Sequence, residues 1–295
     1  MKLVTYDAGA GPKAGVLCGD HVLDVHAASG GGLPADMRAL LAEDPDLSAV
    51  RRLVEAGVPE ALREKGGVVI PLDAARLKSP VMRPGKVICL GLNYRDHAAE
   101  SGMPVPGEPV IFGKASSSVI GPGEPIVLPE ASKQVDYEVE LAFVIGRGVP
   151  QGGMRVTDAM RHVAGYTVLN DVSARDYQRD KPGGQWYLAK SFDTFCPIGP
   201  WIVTPDEVAD PHNLKLWCEV SGERLQSSST AQMIFGVAEI VEYVSRVFTL
   251  EPGDVVATGT PPGVGFARKP QRFLRRGDVV RCTVEGVGTL ENPVQ

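Results

Sequence analysis

Residues 135–145, Val-Asp-Tyr-Glu-Val-Glu-Leu-Ala-Phe-Val-Ile, constrain this chain more than any other stretch. The run is rich in β-branched and aromatic residues, so it reads as a strand. Side chains alternate across a strand, which puts Asp136, Glu138 and Glu140 on one face and Tyr137, Val139, Leu141, Phe143 and Ile145 on the other. A row of carboxylates beside such an apolar row is costly if buried without partners. A hard divalent cation offsets that cost, because Mg²⁺, Mn²⁺ and Ca²⁺ prefer carboxylate oxygen. The alternative is the solvent face of an edge strand, where acidic residues discourage strand-to-strand aggregation.

The other elements point to a mostly β protein. Strands are expected at 2–6, 14–18, 21–25, 86–90, 109–112, 164–170, 201–203, 214–220, 254–257 and 279–284. Helices are expected at 35–42, 47–56, 94–101, 157–162 and 237–248, the last with Val237, Ile240, Val241, Val244 and Val247 at helical spacing. Strands outnumber crossover helices, which argues against a doubly wound α/β fold. A loose stretch broken by Pro71, Pro80 and Pro84 suggests a small N-terminal α+β module over residues 1–75 and a larger domain over 76–295.

Bulk properties exclude several functions. With 295 residues, the chain is long enough for a large core. Its net charge of -6 and lack of a basic stripe argue against nucleic-acid binding. No apolar run approaches the ~20 residues of a membrane helix. The five cysteines are scattered and form no Cys-x-x-Cys, so reduced thiols in a reducing compartment are expected. The N-terminus reads as neither a secretory signal nor an Arg/Ser-rich transit segment, and the expected location is the cytoplasm.

Four features carry chemistry. Asp171 ends the apolar run 164–170 and is the best third carboxylate for a metal, with a helix cap as its structural alternative. His97 and Glu100 lie three apart and meet on one helix face, which suits a general base or a surface ion pair. Lys190 stands amid apolar residues, either aimed at a substrate oxygen or snorkelling from a strand. Residues 258–265, Thr-Gly-Thr-Pro-Pro-Gly-Val-Gly, follow a strand and can form a backbone anion nest, but lack the Lys-Ser/Thr ending of an NTP site.

Five blocks in order, 91–97, 136–141, 170–176, 190–194 and 258–265, resemble the fumarylacetoacetate hydrolase superfamily, nearest its domain-containing protein 2 type. The resemblance implies a mixed β-sandwich roll, a homodimer and a Mg²⁺ or Mn²⁺ ion, with Ca²⁺ as a substitute in crystals. By the same analogy Glu138, Glu140 and Asp171 are metal ligands and Asp136 is not. His97 and Glu100 are a catalytic dyad on a lid, Lys190 is a catalytic-pocket lysine, and Arg175, Gln178 and Thr260 contact substrate. The implied substrate is a small 2-oxo acid. The first expectation is hydrolysis of a C–C bond in a 2,4-dioxo acid of the acylpyruvate type, through an enolate that the ion stabilises. The alternatives are oxaloacetate decarboxylation or keto–enol tautomerisation, and a non-catalytic, metal-stabilised binding protein.

Overall fold

The computed structural model describes residues 1–57, 67–100 and 102–295. Among these residues the main sheet has twelve strands. Its path runs Val69–Pro71, His21–Asp24, Lys13–Cys18, Lys2–Asp7, Cys196–Val203, Val163–Asn170, Val139–Ile145, Val255–Ala257, Val87–Gly91 and Val110–Lys114. Arg76–Lys78 joins it beside Lys2–Asp7, and Val119–Ile120 beside Cys196–Val203. An antiparallel four-stranded sheet is built from Glu223–Ser229, Lys215–Val220, Val279–Val284 and Gly288–Pro293. Leu141 and Phe143 of the main sheet share one apolar cluster with Leu216, Cys218, Val284 and Leu290 of the second. The result is the expected mostly β sandwich with short helices at its margins.

The acidic strand is not an edge. Val139–Ile145 lies between Val163–Asn170 and Val255–Ala257 and is buried at every residue. Its odd-numbered side chains face the sandwich core. Ala142 and Val144 face a second cluster with Leu40, Leu41 and Val50 from the N-terminal helices Met37–Glu43 and Ser48–Ala56. The expected single run over 135–145 is broken. Val135–Asp136 pairs with Ser173–Ala174, and Tyr137 and Glu138 fall between the two strand pieces. The break frees Asp136 from the row that alternation alone would assign it.

The N-terminal strands are tied into the same sheet, since Lys2 and Leu3 pair with Val203 and Ile202. The helix expected over 94–101 is Arg95–Glu100, and Ser101 lies outside the described residues. The short helix that a cap near Asp171 implies is Arg175–Asp180, whereas Trp186–Lys190 is a helix the sequence reading lacks. Lys190 is therefore the last residue of a helix and buried, not a snorkelling strand residue.

Candidate active site

Strand register assembles the acidic centre. Val139 is opposite Asn170 and Glu140 opposite Leu169, so Glu138 faces Asp171 across the next rung. The Asp171 N–H donates to the Glu138 carbonyl at 2.9 Å, and the Glu138 N–H donates to Asn170 Oδ1 at 3.0 Å. One oxygen from each of Glu138, Glu140 and Asp171 lies within 4.8 Å of the others. All three residues are buried.

Their charges are balanced unevenly. Lys190 Nζ donates to Glu138 Oε2 at 2.8 Å and to Asp171 Oδ2 at 2.7 Å. Lys114 Nζ donates to Asp171 Oδ1 at 2.6 Å and to the Val172 carbonyl at 3.1 Å. Arg175 reaches Glu138 through Nη2, Asp136 through Nε at 2.8 Å and Gln178 through Nη1 at 2.9 Å. Glu140 receives only the Gly259 N–H, at 2.7 Å, among the described residues.

Titration behaviour follows this imbalance. Burial alone would raise the Glu138 carboxyl, but Lys190 and Arg175 outweigh it and bring it down to about 2. Burial, then the neighbouring Asp171 and Glu138, push the Glu140 carboxyl well above the usual range. For the Lys190 ammonium, burial works against the charge, and Asp171 and Glu138 more than restore it. An all-oxygen donor set of three buried acids, one of them without a cationic partner, fits a hard divalent cation.

A cavity of about 470 Å³ opens beside these acids. Its lining includes His97, Glu100, Glu138, Glu140, Arg175, Gln178, Lys190 and Thr260, but neither Asp136 nor Asp171, which reaches it only through its hydrogen bond to Lys190. His97 Nδ1 lies 3.1 Å from Glu100 Oε2, and Glu100 Oε1 accepts the Gly263 N–H at 2.9 Å. That contact favours the proton on Nδ1 and leaves Nε2 free as a base. The Thr260 hydroxyl donates to the Val139 carbonyl at 3.0 Å and accepts from Gln226 Nε2 at 2.9 Å, so its position is fixed by the sheet. The Gln178 amide oxygen is engaged by Arg175, which leaves its NH₂ toward the cavity it lines.

The sequence reading missed several residues here. Lys114 ends the strand Val110–Lys114 with its side chain wholly buried, and a lysine closing Val-Ile-Phe-Gly is the same signal that drew attention to Lys190. Asn93 pins the base of helix Arg95–Glu100. It donates to the Phe235 and Thr258 carbonyls at 3.0 and 2.8 Å and accepts the Phe235 N–H at 2.9 Å. Asp136 accepts the Gly265 and Phe266 N–H groups at 2.7 and 2.9 Å, so it fastens the 258–265 loop rather than joining the acidic trio.

The family model for the fumarylacetoacetate hydrolase C-terminal region matches residues 86–295. The chain belongs to the fumarylacetoacetate hydrolase family. It is an enzyme of that family, of the domain-containing protein 2 type. It is 48% identical to the mitochondrial oxaloacetate tautomerase FAHD2B of Bos taurus, over 100% of this chain and 91% of that protein. It is 47% identical to the mitochondrial oxaloacetate tautomerase FAHD2A of Homo sapiens, again over 100% of this chain and 91% of that protein. The crystal structure of maleylpyruvate hydrolase from Sphingobium sp. SYK-6, in complex with manganese(II) ion and pyruvate, superposes with a TM-score of 0.79 at 32% identity, covering 100% of this chain and 98% of that one.

The cytoplasmic expectation is corrected by these relatives, which are mitochondrial proteins. Unpaired thiols and ordinary charge indicate a reducing interior and nothing finer, so composition had no power to separate the two compartments.

Proposed function

We propose that this enzyme interconverts the keto and enol forms of oxaloacetate. The observation that carries the reading is 48% and 47% identity, over the whole of this chain, to two oxaloacetate tautomerases, in a chain where Glu138 and Glu140 of the acidic trio line one cavity with the His97–Glu100 pair. The sequence reading had placed C–C hydrolysis first and this reaction second.

In the proposed mechanism Glu138, Glu140 and Asp171 hold a Mg²⁺ or Mn²⁺ ion. When bound, that ion supplies Lewis-acid polarisation of the 2-oxo group. Glu100 orients His97 so that Nε2 takes the proton as the C3–H bond breaks and the electron pair moves toward the carbonyl oxygen. The imidazolium then returns that proton to the oxygen, so the isomerisation balances without water. Lys190, held cationic between Glu138 and Asp171, favours the negative charge that develops on oxygen. Gln178 and Arg175 position the carboxylate end, and Thr260 shapes the wall beside it. Residues 1–75 are proposed as a supporting unit to the 76–295 domain, since the first cavity-lining residue is Leu90. The working unit is proposed to be a homodimer, which sedimentation would test.

Hydrolysis of an acylpyruvate stays as the second reading, because a base oriented like His97 can equally activate water, and a hydrolase shares the fold. The test is a panel of enol-oxaloacetate, keto-oxaloacetate and acetopyruvate, with Mg²⁺, with Mn²⁺ and with chelator. Metal-dependent ketonisation above the uncatalysed rate is expected, with His97→Ala lowering kcat by about 10²- to 10⁴-fold. Release of CO₂, or cleavage of acetopyruvate as the faster reaction, would move the assignment to decarboxylase or hydrolase. No turnover of any member would leave a binding protein.

A further inference from the structure

The cavity lining holds three side chains with permanent cationic character, and two are ion-paired to the buried acids. Lys190 is bound to Glu138 and Asp171, and Arg175 to Asp136, Glu138 and Gln178. The third is Arg179, at the mouth, one turn along the same short helix as Arg175. Among the described residues Arg179 has no ion pair and no hydrogen bond. Its guanidinium carbon lies 4.1 Å from the centroid of the Phe266 ring, and Phe266 also lines the cavity. Stacking uses the face of a guanidinium and leaves its N–H edge free, in the planar fork that matches a carboxylate. The neighbouring wall is apolar, from Leu92, Met103, Val264 and Ala267. A cation without an ion-pair partner on such a wall serves no purpose for an apolar acyl group.

We propose that Arg179, lying over the Phe266 ring, binds the second carboxylate of the substrate and so selects dicarboxylic 2-oxo acids over acylpyruvates. The inference rests on the proposed 2-oxo acid chemistry for the inner end of the cavity, and it names what the outer end recognises. Arg179 acts on specificity. It does not move the proton.

The experiment measures binding separately from turnover. The metal-replete enzyme, Arg179→Met and Arg179→Lys are titrated by calorimetry with two probes. Oxalate places both carboxylates at the inner end, and 3,3-difluoro-oxaloacetate extends a carboxylate outward. Arg179→Met is expected to raise Kd for difluoro-oxaloacetate by about 10- to 100-fold, the loss typical of a charge-assisted hydrogen bond. Oxalate affinity should stay within about twofold by the same reasoning, since the lost contact lies beyond its reach. Arg179→Lys should retain part of the affinity. In kinetics, the ratio of kcat/KM for oxaloacetate over acetopyruvate should fall by a similar factor. Equal weakening of both probes, no weakening of either, or failure of wild type to bind difluoro-oxaloacetate would overturn the proposal. If the binding pattern holds but no tautomerisation is seen, the clamp stands and the assigned reaction fails.

Discussion

The buried charges around Asp171 illustrate how far a single residue's environment can be argued. Asp171 is served by two lysines on opposite oxygens, and neither lysine is replaceable by water at such depth. Lys114→Met would leave Asp171 Oδ1 and the Val172 carbonyl without their donor. Removing one partner of a buried ion pair costs about 3–5 kcal/mol, and urea denaturation of Lys114→Met should show a loss in that range. A loss under about 1 kcal/mol, the size of an exposed pair, would mean that Lys190 alone neutralises Asp171. Lys190 was legible in the sequence as a lysine amid apolar residues, and again in a block shared with a known family. Lys114 shares the apolar setting but lies in no such block, and its role becomes plain when strand Val110–Lys114 is seen to end with its Nζ on Asp171 and the Val172 carbonyl.

At the level of elements, the site depends on how the 258–265 loop is fastened. A Cβ at Gly265 would lie 1.9 Å from the Arg272 carbonyl oxygen and 2.7 Å from Asp136 Oδ1. Gly265→Ala must therefore push the loop off Asp136, which also holds Arg175. Overpacking of this kind costs about 1–3 kcal/mol, and activity should fall further than stability because Gly263 N–H, which holds Glu100, moves with the loop. Thermal unfolding and kcat on the same variant check this. A second fastening is electrostatic. Strand Arg76–Lys78 meets the turn after Val119–Ile120 through Lys78 and Glu124, and Glu124 also accepts the Gly121 N–H at 2.7 Å. Burial would raise the Glu124 carboxyl, but Lys78 and that N–H outweigh it and hold it below its ordinary value. A carboxyl lowered on folding adds stability above its unfolded pKa and loses it as pH falls through the folded one. Lys78→Met should thus cost less than about 1 kcal/mol at neutral pH, given solvent screening, and almost nothing once Glu124 is protonated. Long periodic elements such as Val237–Ser245 were plain in the sequence. Helix Trp186–Lys190 was not, being too short to repeat a helical period and leaving Tyr187 and Leu188 exposed.

For the whole molecule, a cation held between two sheet strands should couple to global unfolding. A ligand that binds only the folded state stabilises it by about 2.7 kcal/mol at a hundredfold excess over Kd. Mn²⁺ or Mg²⁺ should therefore raise Tm by several degrees, and Asp171→Asn should abolish the rise. An unchanged Tm in wild type across a wide metal titration would remove the acidic trio as a metal centre. A mostly β chain was readable from strand count, and the sandwich only through the resemblance to a known family. Its depth was not: the sequence could not show that the row beginning at Glu140 continues as Ala142 and Val144 into a second apolar cluster. That double burial has an evolutionary consequence. Glu140 stands on the fully buried strand Val139–Ile145, with Glu138 and Asp171 just beyond strand ends, whereas Gln178, Arg179, Trp186 and Phe266 stand on short helices and a surface loop. Mutation can redraw the mouth of the cavity while the acidic centre beneath it stays fixed, so relatives of this chain can exchange one substrate for another without first losing the fold.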